Sequence, residues 1–377
     1  MTQWTEPSAE AVEQRKRLQI NAETVANQAS TDFPNHWPGE NHEWNLEYFK
    51  KNFKVQFHDT KPLNSTFSLI GIDTAVANAF RRIIISEIPT LAIEDVFIFQ
   101  NTSIIQDEVL AHRLGLIPLC ADRNGLNWMK WYNKPTDDSQ NAPGPSDYNC
   151  AIMHLKIKCE WQEGGLQRAT QGETDPDKLF VNHSIYAKEL SWSPIGKQAE
   201  MFAEDQPVRA VTPGILIAKM RPGQEIELMM HAFKGIGQDH AKFSPVGTAS
   251  YRLLPTIDII EPILGGDAKK FIRCFPQHVV EVEPVTADAV EKDPRLAGHE
   301  GDVYAVVRNP YRDTVSRECL RHAEFKDKVK LGRVRDHFIF NIESTGQWDS
   351  DDLFVESVKM LKVKCQRIRR GLDEMQK

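Results

Sequence analysis

The chain has 377 residues, which predicts two or three domains at roughly 150 residues per domain. Its 46 Lys and Arg residues against 53 Asp and Glu residues give a formal net charge of -7, which disfavours a protein that binds nucleic acid by coating its phosphates. Residues 1–10 lack the basic and apolar segments of a secretory signal, and no stretch approaches the roughly 20 apolar residues of a membrane span. We therefore expect a soluble protein inside the cell.

The six cysteines are too far apart to form a C-x-x-C pair. A disulfide framework is not expected at this chain length, and no zinc-ligand spacing is present. We expect reduced thiols, most of them buried. The cysteines are Cys120, Cys150, Cys159, Cys274, Cys319 and Cys365.

The first segment, residues 1–45, is predicted to be an extension that lies on other surfaces. Helix-forming residues around 12–25 are followed by residues 32–39, whose prolines and glycine break a helix. The chain then becomes regular, because apolar residues alternate with polar ones around 53–57 and again around 67–69. This alternation predicts two strands.

A helix with two different faces is predicted next. Asp73 is a suitable N-cap, and the helix ends before Pro89. At about 100° per residue, the apolar side chains fall on one face and the polar ones on the other. Both a half-buried helix with solvated arginines and a helix between two neighbours fit this pattern. The apolar face holds Val76, Ala79, Phe80, Ile83 and Ile84, and the polar face holds Asn78, Arg81 and Arg82.

The middle of the chain is predicted to be mainly β up to residue 254. Short alternating runs recur, residues 133–149 are expected to form a mobile loop, and residues 221–224 are expected to form a hairpin turn. Residues 255–330 alternate between short helices and strands, which indicates a small third unit. The alternating runs of the β part are 96–99, 151–158, 184–190, 215–220 and 225–232. The third unit is predicted to hold helices around 268–273 and 315–323 and strands at 279–282 and 303–307.

A strand at 337–343 and a long helix from about 350 to 371 close the chain. Apolar residues recur in this helix at alternating spacings of four and three, which is a narrow stripe of the heptad kind. The stripe fits packing within its own chain and also fits a seam against another helix. It consists of Phe354, Val358, Leu361, Cys365, Ile368 and Leu372.

One stretch of the chain resembles a known family. The segments NAFRRI at 78–83, AIEDV at 92–96, NTS at 101–103 and DEVLAHRLGLIP at 107–118 resemble the signature of the archaeal and eukaryotic α-like subunits of RNA polymerase. Residues 234–245 and 330–344 agree, so the resemblance runs from about residue 46 to 371. The polymerase II counterpart carries clustered zinc-binding cysteines that are missing here. The match is closer to the larger α-like subunit shared by polymerases I and III.

The resemblance implies an α+β fold with an interrupted dimerisation domain. Residues 46–92 and 331–377 would form this domain, in which helices lie on an antiparallel sheet. Residues 93–254 would form a mainly β insert domain, and residues 255–330 a ferredoxin-like unit. A cubane cluster typically needs four thiolates, and only Cys274 and Cys319 are present there, so no iron–sulfur cluster and no other cofactor is expected.

The resemblance also implies a non-catalytic assembly subunit of polymerases I and III, acting in the nucleus, including the nucleolus. It would support transcription of rRNA, tRNA and 5S rRNA. It would pair with a smaller α-like subunit, seat the second-largest subunit and contact a small zinc-binding subunit. The expected dimer interface is Val76, Phe80, Ile83, Ile84, Phe354, Val358, Leu361, Cys365 and Ile368. The expected large-subunit contacts are Asn78, Arg81, Arg82, His240 and Lys242.

Rival functions rest on weaker patterns. Asp107 and Glu108 with His112, or His231 with Asp239 and His240, could hold a metal ion, but neither set follows a recognised ligand spacing. We expect no catalytic residue and no metal site.

A DNA-binding module is the other rival. The basic segment 308–335 suggests it, but acidic residues are interleaved with the basic ones. Direct DNA binding is therefore not expected, and the α-like subunit of another polymerase remains a further alternative.

Overall fold

A computed structural model of the chain describes residues 8, 15–28, 36–37, 41–132, 134 and 144–375. These residues form helices and antiparallel sheets, which confirms the predicted α+β class. Contacts divide the chain into two compact units. The first holds Met1–His58, Phe67–Ala77 and Tyr251–Phe340, and the second holds Asp59–Thr66, Asn78–Ser250 and Asn341–Lys377. Most of the loop predicted at 133–149 lies outside the described residues.

One six-stranded sheet is built around the long strand Val329–Ser344. Its alternating apolar residues Phe338, Phe340 and Ile342 are fully buried, as a half-buried strand requires. The strand is longer than the predicted 337–343, because its earlier residues pair with Arg17–Ile20. This pairing joins segments that are distant in sequence, so the local pattern does not indicate it. Its strand order is Val25–Ala26, Arg17–Ile20, Val329–Ser344, Asn64–Ile70 and Lys54–Lys61, with Val246–Ile259 also paired to Val329–Ser344.

The described part of residues 12–25 differs from the helix that its composition favours. Arg17–Ile20 is a strand that pairs antiparallel with the long strand, with Arg17 opposite Val334 and Ile20 opposite Leu331. Helix propensity is worth only a few tenths of a kcal/mol per residue, roughly, and a sheet edge outweighs it. The strands predicted around 53–57 and 67–69 are confirmed as Lys54–Lys61 and Asn64–Ile70.

The first unit has its own apolar core. Phe271 and Phe325 are fully buried there, and Cys274 and Cys319 lie in the same cluster. Burial raises the pKa of the Cys319 thiol to about 12 and also raises the pKa of Cys274. Both thiols are therefore held in the protonated form. Around this core lie the helices Gly265–Ile272, Ala287–Lys292 and Ala323–Lys326 and the paired strands Val280–Pro284 and Val303–Val307.

The helix predicted at 315–323 is wrong. Val315 and Arg317 have positive φ angles of 56° and 60°, a left-handed conformation that a right-handed helix cannot contain. The chain forms only a 3-10 turn at Glu318–Arg321 before the short helix Ala323–Lys326.

The second unit contains another six-stranded sheet, as predicted for the mainly β part. Its central strand, Glu225–Gly235, pairs with Thr90–Asn101 on one side and with Cys150–Lys158 on the other. Residues 221–224 form a turn, in which the Gln224 amide donates to the Arg221 carbonyl at 3.0 Å and Gly223 has a φ of 90°. The predicted hairpin is wrong, because the flanking strands Leu216–Lys219 and Glu225–Gly235 pair with other strands and not with each other. The strand order is Ser191–Ser193, Cys150–Lys158, Glu225–Gly235, Thr90–Asn101, Leu119–Cys120 and Arg209–Ala210.

Helices cover parts of the second unit. The helix Asp107–Gly115 buries Leu110 and Leu114. It was not predicted from the sequence, because the helix is short and charged residues interrupt its apolar pattern. The further helices are Arg123–Trp128, Gly165–Thr170, Pro176–Leu179 and Gln198–Met201, with 3-10 turns at Ala187–Glu189 and Ala241–Phe243. Short strand pairs join Ser184–Tyr186 to Leu216–Lys219 and Glu160–Trp161 to Phe180–Val181. Elsewhere in the chain lie the helix Leu46–Asn52 and 3-10 turns at Pro294–Leu296 and Pro310–Arg312.

Two predicted helices carry the candidate site. The first is Thr74–Ser86, whose start is capped by the Asp73 carboxylate, which accepts a hydrogen bond from the Ala75 amide at 2.7 Å. The second is the C-terminal helix, Ser350–Met375, which has 26 residues and ends four positions beyond the predicted Gly371.

Candidate subunit interface

The first turns of the C-terminal helix pack into the second unit. Leu353 and Ser357 are fully buried, and Phe354 is 7% exposed. The Phe354 ring meets the Phe80 ring edge to face, with 5.4 Å between centroids. Such aromatic pairs add roughly 0.5–1.5 kcal/mol beyond the area they bury. Phe354, the first residue of the apolar stripe, is therefore part of the chain's own core.

Hydrogen bonds fix the point where the C-terminal helix begins. The Ser350 hydroxyl donates to the Lys61 carbonyl at 2.7 Å, and the Ser350 amide donates to the Pro62 carbonyl at 3.0 Å. Just before the helix, the Trp348 indole donates to the Pro89 carbonyl at 3.3 Å. These bonds hold the first turn of the helix on the second unit.

The remainder of the helix presents its apolar stripe to solvent. Val358 is 42% exposed, Ile368 66% and Leu372 55%, while Leu361 is half-buried and Cys365 is exposed. The structure also adds Met375, which is 85% exposed and continues the spacing of three and four. A row of exposed apolar side chains of this kind marks a surface that another molecule covers.

An ion pair holds the exposed half of the helix on one side. The Lys364 ammonium donates to the two carboxylate oxygens of Glu87 at 2.7 and 3.0 Å. Glu87 follows directly after the helix Thr74–Ser86, so the two helices are tied together beside the stripe. The opposite side of the stripe carries Lys362 and Arg369, which are exposed.

Other predicted interface residues are placed differently. Phe80, Ile83 and Ile84 are 7%, 2% and 0% exposed, so they have almost no surface to offer a partner. Their side chains fill the core of the chain because the helix Thr74–Ser86 turns its apolar face inward. We therefore assign them to the core that underlies the interface. Val76, near the start of that helix, is 39% exposed.

The predicted polar face of the same helix is accessible. Arg82 is exposed, and Arg81 and Asn78 are half-buried. The Asn78 side-chain carbonyl accepts from Nε and Nη2 of Arg81 at 3.0 and 2.8 Å. These two bonds hold the Arg81 guanidinium beside Asn78 on the same helix, and a planar guanidinium suits recognition of a carboxylate.

The loop that carries His240 docks on the end of this helix. The Gln238 amide donates to the Ser86 carbonyl at 3.0 Å. At Gly237 an added Cβ would lie 2.3 Å from the Ile85 carbonyl oxygen, a separation that no side chain can occupy. His240 is exposed, and its Nδ1 accepts a hydrogen bond from the Lys242 amide at 3.1 Å. The loop and the arginines therefore lie on neighbouring parts of the second unit.

Lys242 is engaged within the chain. Its side chain is only 12% exposed, and its ammonium pairs with the Glu94 carboxylate and donates to the Ile93 carbonyl at 2.7 Å. Burial would raise the pKa of Glu94, but Lys242 and the more distant Lys134 together hold that pKa below its usual range. Lys242 therefore holds the loop in place, and His240 is the residue of this loop that is exposed to solvent.

The residue sets proposed for an enzyme do not assemble. Among the residues that the structure describes, no three His, Cys, Asp or Glu side chains are grouped so that they could hold a metal ion. Neither Asp107, Glu108 and His112 nor His231, Asp239 and His240 form such a group. Nδ1 of His231 is buried without a hydrogen-bond partner, and burial lowers the pKa of that imidazole.

The basic segment 308–335 is partly neutralised by acidic side chains. Arg308 forms ion pairs with Glu281 and Glu283, and Arg321 pairs with Glu318 at 3.1 Å. Paired guanidinium groups are less available to phosphates, which weakens the DNA-binding alternative. No helix in the described part of the chain is long and apolar enough to cross a membrane.

Comparison with known proteins places the chain in a family. Residues 66–365 match the family described as the RNA polymerase Rpb3/Rpb11 dimerisation domain. The chain is 47% identical over 350 residues to the DNA-directed RNA polymerases I and III subunit RPAC1 of Saccharomyces cerevisiae, covering 93% of this chain and 96% of the relative. It is 42% identical over 370 residues to the subunit of the same name from Homo sapiens, covering 98% and 99%.

A more distant relative serves other polymerases. The DNA-directed RNA polymerases II, IV and V subunit 3 of Arabidopsis thaliana is 30% identical over 330 residues, covering 86% of this chain and 92% of the relative. The family match over residues 66–365 includes the helix Thr74–Ser86 and the C-terminal helix as far as Cys365. By its sequence and by the helices that its fold presents, the chain belongs to the RNA polymerase Rpb3/Rpb11 dimerisation domain family.

Proposed function

We propose that this chain is a non-catalytic assembly subunit of DNA-directed RNA polymerases I and III. The relatives whose names contain those two polymerases are more similar to it than the relative that serves polymerases II, IV and V, at 47% and 42% identity against 30%. The chain would support transcription of rRNA, tRNA and 5S rRNA. It would act in the nucleus, including the nucleolus.

The exposed stripe of the C-terminal helix is the observation that carries this proposal. Six side chains follow the heptad spacing beyond Phe354, and all but the half-buried Leu361 are exposed among the described residues. They are Val358, Leu361, Cys365, Ile368, Leu372 and Met375. A second helix with a similar stripe would bury them by knobs-into-holes packing. We assign this role to a smaller α-like polymerase subunit, with which the chain would form a heterodimer.

A second surface would receive the large subunits. Asn78, Arg81 and Arg82 form its arginine part, and the His240 loop lies beside the end of the same helix. Guanidinium groups favour acidic partners, so we assign this surface to the second-largest subunit, with the small zinc-binding subunit near the His240 loop. Lys242 takes part indirectly by holding the loop.

We assign each part of the chain a separate structural role. Residues 46–92 and 331–377 would form the dimerisation domain, residues 93–254 the insert domain and residues 255–330 the ferredoxin-like unit. None of these parts would contribute a group to phosphoryl transfer. The chain would raise the effective concentration of the large subunits by holding them on one scaffold.

Affinity purification of the tagged chain from nuclear extract, followed by mass spectrometry of the largest subunits, tests the proposal. We expect the largest subunits of polymerases I and III in comparable amounts and none of that of polymerase II. A tagged polymerase II α-like subunit is the matched control. Recovery of the polymerase II subunit alone, or of no polymerase subunit, would contradict the proposed function.

A further inference from the structure

The charged residues that flank the apolar stripe all have the same sign. With Val358, Cys365 and Leu372 at the a positions of the heptad, Leu361, Ile368 and Met375 are at d. The neighbouring e and g positions are those that face a partner helix across a seam of this kind. The described residues at these positions are Lys362 and Arg369 at e and Ser357, Lys364 and Gly371 at g.

These basic residues are not equally free. Lys364 is bound to Glu87 of its own chain, at 2.7 and 3.0 Å. Lys362 and Arg369 are exposed and form no ion pair among the described residues. The e side of the stripe is therefore open, and two unpaired cations line it.

The acidic residues of this part of the helix lie elsewhere. From Val358 to Met375 the helix has six basic and two acidic residues, and the acidic ones are Asp373 and Glu374. Both are at the last turn, at b and c positions away from the seam. Asp373 lies four residues after Arg369, a spacing at which two side chains of a helix can pair, but the two form no ion pair in the described part of the chain. No acidic residue lies three or four positions from Lys362.

Pairing of this helix with a second copy of itself would be electrostatically unfavourable. In a parallel pair the e positions of one helix face the g positions of the other, and in an antiparallel pair e faces e and g faces g. In the parallel pair Lys362 would face Ser357. Lys364, which is bound to Glu87, would face Arg369. In the antiparallel pair the basic e residues of the two copies would face each other. Like charges placed together across an interface oppose association and thereby exclude the wrong partner.

We propose that Lys362 and Arg369 determine partner choice at this interface. They disfavour pairing of two copies of this chain, and they select a partner helix whose own apolar stripe is flanked by Asp or Glu. The inference rests on the proposed heterodimer and adds the chemistry of its partner. It treats the apolar stripe as the source of affinity and the two cations as the source of specificity.

The test is charge reversal in the full chain, with Lys362→Glu plus Arg369→Glu measured against the purified small α-like subunit. We expect the Kd to rise by at least about tenfold at low salt, because attraction across the seam becomes repulsion. The control is Arg367→Glu plus Arg370→Glu, which reverses two charges on the same helix at c and f positions. The control should change the Kd by less than about threefold.

The outcomes separate the two proposals. If the wild-type chain binds the small subunit and both double variants bind it equally well, the specificity inference is wrong and the proposed heterodimer stands. If the wild-type chain does not bind the small subunit at all, the proposed function itself fails.

Self-association gives a second readout that needs no partner. Sedimentation of an equimolar mixture of the wild-type chain and the Lys362→Glu plus Arg369→Glu chain should show more association than either chain alone. Wild-type dimers that Ile368→Asp dissociates would overturn the inference, because they would show that two copies already pair through the stripe.

Discussion

At the scale of single residues, the ion pair of Lys242 and Glu94 anchors the loop that carries His240. Replacing Lys242 with Met should lower the free energy of unfolding by about 1–3 kcal/mol, because a partly buried carboxylate loses its partner. Lys134→Met is the matched control. Its side chain is 54% exposed and contacts the same Glu94 at 3.4 Å, so the loss should stay below about 1 kcal/mol. Equal losses in urea denaturation would contradict the assigned role of Lys242.

The same pair gives the stability a defined pH dependence. The pKa of Glu94 is held below its ordinary value of 4.5, so the contribution of the pair is fully present above that value. It is lost as the pH falls through the pKa of the folded state. The difference in free energy of unfolding between the wild-type chain and Lys242→Met should therefore shrink below pH 4.5. A difference that stays constant into acid would show that the carboxylate charge is not involved.

Gly237 allows the His240 loop to approach the helix Thr74–Ser86. Gly237→Ala would place a Cβ 2.3 Å from the Ile85 carbonyl oxygen, and we expect a loss of about 1–3 kcal/mol in the free energy of unfolding. Gly214→Ala is the matched control, since its added Cβ meets no atom within 4 Å. Thermal unfolding of both variants measures the difference. An unchanged Gly237→Ala protein would mean that the loop does not depend on this contact.

At the scale of elements, the C-terminal helix combines a buried start with an exposed continuation. Ile368 is 66% exposed in the chain alone, so Ile368→Asp should leave its folding intact. In the proposed heterodimer it would bury an unpaired charge, and the Kd for the small α-like subunit should rise by at least about a hundredfold. Gln366→Asp adds the same charge on another side of the helix and should bind normally. Titration calorimetry distinguishes these outcomes, and equal binding by both variants would remove the stripe from the interface.

The arginine face of the helix Thr74–Ser86 supports a different prediction. Arg81→Ala plus Arg82→Ala should preserve the heterodimer and weaken recruitment of the second-largest subunit, because the two guanidinium groups lie away from the stripe. Arg367→Ala plus Arg370→Ala removes the same charge from the C-terminal helix as a control. Co-purification of the second-largest subunit is the measurement. Normal recruitment by the first variant would show that Arg81 and Arg82 do not bind the second-largest subunit.

Elements with strong local patterns could be predicted from the sequence. The two main helices have caps and apolar periodicity of their own, so their positions were confirmed within a few residues. Arg17–Ile20 could not be predicted in this way, because its strand exists only through pairing with Val329–Ser344, more than 300 residues away. The prediction of a helix at 315–323 failed because Val315 and Arg317 adopt left-handed backbone conformations, which their residue types do not indicate.

At the scale of the whole molecule, sequence resemblance identified the family, and the burial of each side chain separated core residues from those that could face a partner. Periodicity placed Phe80, Ile83 and Phe354 on apolar faces, but it could not distinguish a face turned to the chain's own core from one turned to a partner. That distinction needs the packed structure, in which Ile84 is fully buried and Ile368 is mostly exposed. The same limit applies to Lys242, whose internal ion pair is formed with a strand about 150 positions earlier.

The proposed pairing with a smaller α-like subunit would cover the exposed stripe of the C-terminal helix. Co-expression of both chains, followed by purification on a tag carried by the small subunit and light scattering of the eluted complex, tests it most directly. We expect a soluble complex that contains one copy of each chain. A stable, soluble monomer that does not bind the small subunit would contradict it.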